Sequence, residues 1–336
     1  MGRVGIIVPS EILSSDASKD FFQSIIRDKK LRSSFAFENE EFIFPGIANV
    51  NRFTLLTLGA ESGRDSEIRL AFYLRRSEHL HEPDRVFSLK ASDFSDMNPN
   101  TLTCPVFRTK VDGELTARLY REFPVLIDES GAVSVNPWRI SFMRMFDMAN
   151  DSDLFVDDAE IIGTTELING VRRDTKSNQL FLPLYEGKFM WHFDHRFSSY
   201  HNLGKIKGRG GRGLPPVLEE EYADPTFEIT PRYWLEKEKI DLRLSEIDHS
   251  NHWLMGWRDV ANAKVERTMV CGVFPRWGAN HKLPLFFTQE APRLAASLLC
   301  NLSSMTFDFV ARQKMGGTSF AYFYLKQLPI IPPPFY

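Results

Sequence analysis

Val4-Gly5-Ile6-Ile7-Val8-Pro9 is a run of β-branched residues closed by proline, the pattern of a short strand covered on both faces. Ser14, Ser15 and Asp16 offer capping side chains, and Phe21, Phe22, Ile25 and Ile26 follow at three- and four-residue spacing, one apolar face of a helix. Two more β-like runs are expected, Leu31 to Glu38 and Arg52 to Leu58. The turn residues Phe44-Pro45-Gly46 and Asn49-Val50-Asn51 separate them. One helix and three strands cannot close a doubly wound sheet, because the first strand would keep an open edge and uncovered apolar faces. The expectation is half of an α/β domain, with its remaining strands supplied from outside this sequence.

Beyond Glu82 the periodicity weakens as far as Lys176. Asn98-Pro99-Asn100 and Asn136-Pro137-Trp138 read as turns around one helix, Asp112 to Glu122. From Gln179 onward aromatics are denser, with β-like runs at Leu180 to Leu184 and Arg267 to Phe274. A single amphipathic helix is expected from Ala291 to Val310, on the spacing of Leu294, Leu298, Leu302 and Met305. The end, Tyr322 to Pro329, has the composition of an edge strand leading into a proline-rich exit. These patterns divide the chain into an α/β part over residues 1–85, a connector over 86–178 and an α+β part over 179–336.

At 336 residues the chain can bury more than one core, and its 43% hydrophobic and 25% charged residues are ordinary for globular proteins. No stretch nears the roughly 20 apolar residues of a membrane span, and no leader pattern opens the chain. The cysteines, Cys104, Cys271 and Cys300, are odd in number and widely spaced. That argues against a disulfide framework and for a reducing cytoplasm.

The net charge of −3 hides a local imbalance. Between Thr165 and Pro215, Arg172, Arg173, Lys176, Lys188, Arg196, Lys205, Lys207, Arg209 and Arg212 outnumber Glu166, Asp174, Glu186 and Asp194. Such a stretch can face phosphate, although a solvated basic surface has the same composition. The cluster from Gly204 to Gly213 follows no strong strand and opens no helix, so it lacks the setting of a nucleotide-binding turn. Lysine and arginine on a glycine-rich backbone can adapt to phosphates, and a plain disordered loop has the same composition. His192-Phe193-Asp194-His195-Arg196 pairs two histidines, but on a strand their spacing points them to opposite faces, and no third ligand stands out. No metal site is therefore expected, and a buried polar network or a DNA contact fits better. Trp253 and Trp257 read as core residues on a helical face, while Arg258, Arg276, Arg312 and Lys314, set among aromatics and glycines, are candidates for base edges.

Several segments together resemble bacterial type II and type IIG DNA adenine-N6 methyltransferases with an HsdS-like target recognition domain, including phage-defence methyltransferases of the DISARM kind. They are Gly2 to Ser10, Phe35 to Pro45 with Arg52 to Leu58, Asn98 to Arg108, and Leu182 to Lys188 with Phe193 to Arg196. Trp253 to Asp259 and Ala311 to Thr318, leading to Tyr324 to Pro329, complete the set. The resemblance implies an α/β fold: the C-terminal half of a class I methyltransferase sheet, then the recognition domain. The opening strand looks like the fifth of that sheet and the next two like its antiparallel sixth and seventh. Phe44 with Pro45 is similar to a position where a phenylalanine contacts an extruded adenine. The S-adenosylmethionine motif and the Asn-Pro-Pro-Tyr type motif belong to the family but not to this sequence, and Asn136-Pro137-Trp138 lacks the second proline. The implied function is recognition of double-stranded DNA by a chain that needs an N-terminal methyltransferase half to bind S-adenosylmethionine and transfer methyl groups. Arg172 and the loop lysines and arginines would hold phosphate. A stand-alone specificity protein that recruits another enzyme would use the same residues.

Overall fold

A computed structural model describes residues 2–13, 18–60, 67–104, 106–206, 213–247, 249–263, 265–315 and 318–336. The capping residues Ser14 to Asp16 and the loop residues Lys207, Arg209 and Arg212 lie outside them. Over the described residues the fold is mixed α/β with three sheets, in two compact units. The first comprises Met1–Pro137, Phe309–Gly316 and Phe323–Phe335; the second comprises Trp138–Asp308, Gly317–Tyr322 and Tyr336. Residues 86–137 thus cluster with the first unit and 138–178 with the second.

The first unit begins with β1 (Arg3–Pro9), α1 (Lys19–Arg27), β2 (Leu31–Glu38) and β3 (Arg52–Gly59). β4 (Ile68–Leu74), β5 (Phe87–Leu89), α2 (Ala91–Met97) and α3 (Lys110–Glu122) come next. The strand order is β1-β3-β2-β4-β5, with β3 antiparallel to both of its neighbours and β4 parallel to β2. Helix α1 buries Phe22, Ile25 and Ile26, as its spacing predicts, while Phe21 is exposed. Helix α3 starts two residues before Asp112. Thr109 accepts the Asp112 N–H at 3.2 Å, and the Asp112 carboxylate accepts the Thr109 N–H at 3.1 Å, a reciprocal cap.

The opening strand departs from expectation in its burial. It is an edge strand: β3 pairs along one side, and among the described residues no strand pairs along the other. Val4 is 55% exposed and Ile7 58%. Apolar composition predicts the tendency to be covered, but position in the sheet decides whether cover is present.

In the second unit come β6 (Ser141–Met143), β7 (Val156–Asp157), α4 (Asp158–Ile161), β8 (Thr165–Ile168), β9 (Val171–Asp174) and β10 (Leu180–Tyr185). After them run α5 (Glu219–Ala223), β11 (Tyr233–Glu236), α6 (Lys237–Leu244), β12 (Trp253–Trp257), β13 (Cys271–Pro275), β14 (Gly278–Ala279) and β15 (Leu285–Phe287). One sheet has the order β7-β11-β10-β9-β8 with β14 added against β10, and the other β13-β12-β15-β6. Their apolar residues form one core in which Tyr185 stacks on Phe274 at 4.8 Å. Trp257 is fully buried, but on strand β12 and not on a helix. β13 starts later than Arg267 because the N–H groups of Thr268 and Met269 bind the Asp308 carboxylate at 2.7 and 2.8 Å, off any ladder.

The predicted helix from Ala291 to Val310 is two helices, α7 (Pro292–Leu302) and α8 (Met305–Lys314), bent by 59°. At the break Arg267 donates to the carbonyls of Ser303 and Ser304 (2.6 and 3.3 Å), and the Ser304 hydroxyl accepts the Phe307 N–H at 3.1 Å. Serine thus ends one helix and caps the next. Past the bend Met305 is 81% exposed, and Phe307 and Val310 are buried in its place. The expected edge strand over Tyr322 to Pro329 is instead α9 (Tyr322–Lys326) followed by a single bridge, Val125 to Pro329. No single helix among the described residues is long and apolar enough to cross a membrane.

Candidate nucleic-acid interface

β1 and β2 both end beside the start of β3, where Pro9 pairs with Phe53 and Glu38 with Arg52. Past the carboxyl ends of parallel strands an open α/β sheet characteristically leaves a crevice. Here Asn39 organises it. Its buried side chain accepts the Phe44 N–H at 2.9 Å and donates to the carbonyls of Phe44 and Ile47 at 3.0 and 2.9 Å, while its own N–H binds the Asn51 carbonyl. Because the amide is spent on the loop backbone, Asn39 shapes the crevice and leaves little capacity for a ligand. Phe44 packs edge-on to Phe53 at 4.8 Å, and Phe53 stacks on Phe37 at 5.3 Å. Below them buried Glu38 pairs with Arg52 at 3.2 Å and Arg75 at 3.1 Å, tying the strand ends together.

The resulting cavity, about 440 Å³, is bounded chiefly by Ile7, Pro9, Asn39, Phe44, Arg52 and Phe53. That volume falls among small-molecule sites, and its wall is mainly apolar and aromatic. It suits a flat ring system. Phe44 is in the wall; Pro45 is exposed and does not line it.

The basic candidates separate once their partners are seen. Arg172 is not a surface phosphate ligand: it is 6% exposed, pairs with Asp158 at 3.0 Å and lies over the Trp234 ring, whose Nε1 donates to the same carboxylate at 2.8 Å. Lys314 is likewise turned inward, donating to the carbonyls of Met97 and Gln327 at 2.9 and 2.7 Å above Tyr120, and burial drives its pKa well below the usual lysine value. Arg276 holds the His249 carbonyl at 2.8 Å, and half-buried Arg312 also has a partner. A lysine or arginine is as useful for tying off buried carbonyls as for holding DNA, and sequence does not separate the two uses. Lys205 is exposed.

Arg258 is different. Its guanidinium lies over Trp191 (5.4 Å) and Phe197 (6.0 Å), which stack on each other at 5.0 Å, and burial lowers its pKa from the usual arginine value. Among the described residues the structure gives that guanidinium no hydrogen-bond or ion-pair partner. Gly187 lets the chain pass close by: a Cβ there would stand 2.7 Å from the Lys282 carbonyl and 3.6 Å from the Arg258 Cα. A planar, charged fork backed by rings and lacking an acceptor is suited to a phosphate or a guanine edge.

His192 sits in a tight turn and His195 just past it, neither on a strand, and Asp194 is used by the Arg196 N–H (2.7 Å) and the Tyr222 hydroxyl (2.6 Å). Among the described residues no three His, Cys, Asp or Glu side chains gather to hold a metal. Burial lowers the pKa of both histidines, helped by Arg267 beside His192 and by Arg196 beside His195. An unfolded histidine titrates near about 6.5. As acid is added the unfolded chain binds protons before the folded one, so the stability present above that value declines as pH falls from it toward the lower folded values. Urea midpoints at about pH 7.5 and about pH 5.5 should therefore differ, and His192→Gln with His195→Gln should shrink the difference. An unchanged difference would place the titrating groups elsewhere.

No family model matches the chain, and no curated protein matches it. Solved structures do. The chain is similar to the type IIG restriction endonuclease BpuSI, with 13% identity and a TM-score of 0.33 over 98% of this chain and 40% of that one. It is also similar to the type IIL restriction-modification enzyme MmeI, solved in complex with DNA, with 13% identity and a TM-score of 0.43 over 95% of this chain and 37% of that one. This chain spans about two fifths of the length of these two.

Proposed function

We propose that the chain is the sequence-specific DNA recognition part of a DNA adenine-N6 methyltransferase from a restriction-modification or phage-defence system. In this reading the first unit supplies the last strands of the methyltransferase sheet and one wall of the pocket that receives an extruded adenine. The second unit reads the duplex, with Arg258 as its leading contact. The observation that carries the proposal is the cavity past the ends of β1 and β2, walled by Phe44, in a sheet whose β1 edge has no described partner. An adenine taken out of its stack regains ring contact on an aromatic wall of this kind. The methyl-donor site is not assigned to this chain. β1 runs directly into a 3-10 turn, Ser10–Leu13, which has no glycine and lacks the close-approach backbone that cradles such cofactors. Strands paired to the free edge of β1 would supply S-adenosylmethionine binding and the transfer step, and would cover Val4 and Ile7, worth about 1–2 kcal/mol each.

Selection of this chain against a random duplex pool tests the reading. Enrichment of a sequence, with affinity falling steeply as salt rises, is expected. With the donor-binding half added, methyl transfer to adenine is expected, and Phe44→Ala should slow it about tenfold by removing the ring that receives the base. Absence of any enrichment, or methyl transfer by this chain alone, would contradict the assignment.

A further inference from the structure

Trp191 and Asp194 exchange backbone hydrogen bonds (Trp191 N–H to Asp194 O, 2.7 Å; Asp194 N–H to Trp191 O, 3.2 Å), leaving His192-Phe193 as a two-residue hairpin tip. Tips of this kind require left-handed backbone, normally from asparagine or glycine. Phe193 supplies it at φ +58°, a costly conformation for a phenylalanine. Its ring recovers little of that cost by packing: it is 71% exposed, and among the described residues its ring neighbour is His192, at 6.3 Å.

The base of the tip is firmly held. Trp191 stacks on Phe197 and both rings carry the Arg258 guanidinium, while the Asp194 carboxylate is fixed by Arg196 N–H and Tyr222. A strained, exposed aromatic on a braced support is a pattern that structure alone does not reward, and such outliers cluster at active sites, ligand clamps and switch regions. The chemistry of the partner is set by the neighbouring cation. The half-buried guanidinium of Arg258 rests on Trp191, the first residue of the same hairpin, so an exposed aromatic and a positive charge belong to one support. Stacked bases flanked by phosphates present the matching surface.

We infer that Phe193 is a wedge that enters the base stack of duplex DNA and unstacks one step, with Arg258 anchoring the neighbouring backbone or base edge. This rests on the DNA-recognition reading above and adds to it a distortion of the duplex at a defined residue.

The test uses the whole chain and a duplex enriched from the random pool, with the fluorescent adenine analogue 2-aminopurine placed at successive positions. Wild type should brighten the probe at one step. Phe193→Ala should abolish the brightening and weaken binding about tenfold, and Phe193→Trp should retain both. Phe193→Gly guards against misfolding: glycine takes positive φ freely, so this variant should resist urea at least as well as wild type and still lose the brightening. If wild type enriches a duplex but Phe193→Ala and Phe193→Gly match its affinity and fluorescence, the wedge is refuted and DNA recognition stands. If wild type enriches no duplex, both fall. Tighter binding to the single strand than to the duplex would make Phe193 a stacking platform and overturn the wedge.

Discussion

Arg172→Ala should lower the unfolding free energy by about 3 kcal/mol, the scale for removing one member of a buried ion pair, while leaving the salt dependence of DNA binding unchanged. The loss has three parts. Asp158 keeps its charge but loses the guanidinium at 3.0 Å; the Thr165 hydroxyl loses its contact at 3.4 Å; and the Trp234 ring loses the cation over its face at 5.0 Å. These residues tie α4 to β8, β9 and β11, so the damage should appear as a lower urea midpoint with an unchanged slope. A phosphate ligand would behave in the opposite way: little stability lost, and a salt slope reduced by about one. A midpoint within error of wild type would show that the arginine does not pin this sheet.

Arg258→Ala is the converse case, with an expected 10- to 100-fold loss of duplex affinity, the usual range for a specific arginine contact of about 1–3 kcal/mol. Arg258 is braced on Trp191 and Phe197 but has no acceptor among the described residues, so removing it strands no buried carboxylate there. Arg258→Lys should rescue poorly, because an ammonium does not reproduce a flat fork lying on rings. Loss confined to sequences differing at one base pair would identify a base-edge contact, and uniform loss a phosphate contact. Unaltered affinity across the whole pool would remove Arg258 from the interface.

Strands β2 and β3 are legible in the sequence because the loop of Phe44, Pro45 and Gly46 marks their turn locally. β4 is not: it lies parallel to β2 and depends on pairing across more than thirty residues. The α7–α8 bend is hidden for the same reason. Leucine spacing runs through it smoothly, and the group that opens the helix, Arg267, is 36 residues from Ser303. Phe44 lies at a cavity, but Asn39, which fixes it there, carries no signal in the sequence beyond being an asparagine near a turn. Arg172 and Lys314 mislead because charge predicts a need for partners without saying whether those are nucleic acid or the chain's own carbonyls. Phe193 carries its message in a backbone angle that composition does not encode.

The route of the chain also sets an order on its birth. Residues 138–308 leave and return within a unit whose completion waits for the final segment, since Leu126 and Ile127 bind the carbonyls of Leu328 and Lys326, and Tyr120 and Lys314 bind that of Gln327. The bulk of the second unit therefore leaves the ribosome before the first, though begun earlier, has its closing residues, while the Trp257 Nε1–H still waits for the Phe320 carbonyl. The same topology means that 138–308 is not a self-contained cassette: Trp257, Asp259 and Ala261 bind Phe320, Ser319 and Thr318, so an exchange of the second unit has to carry the later segment as well.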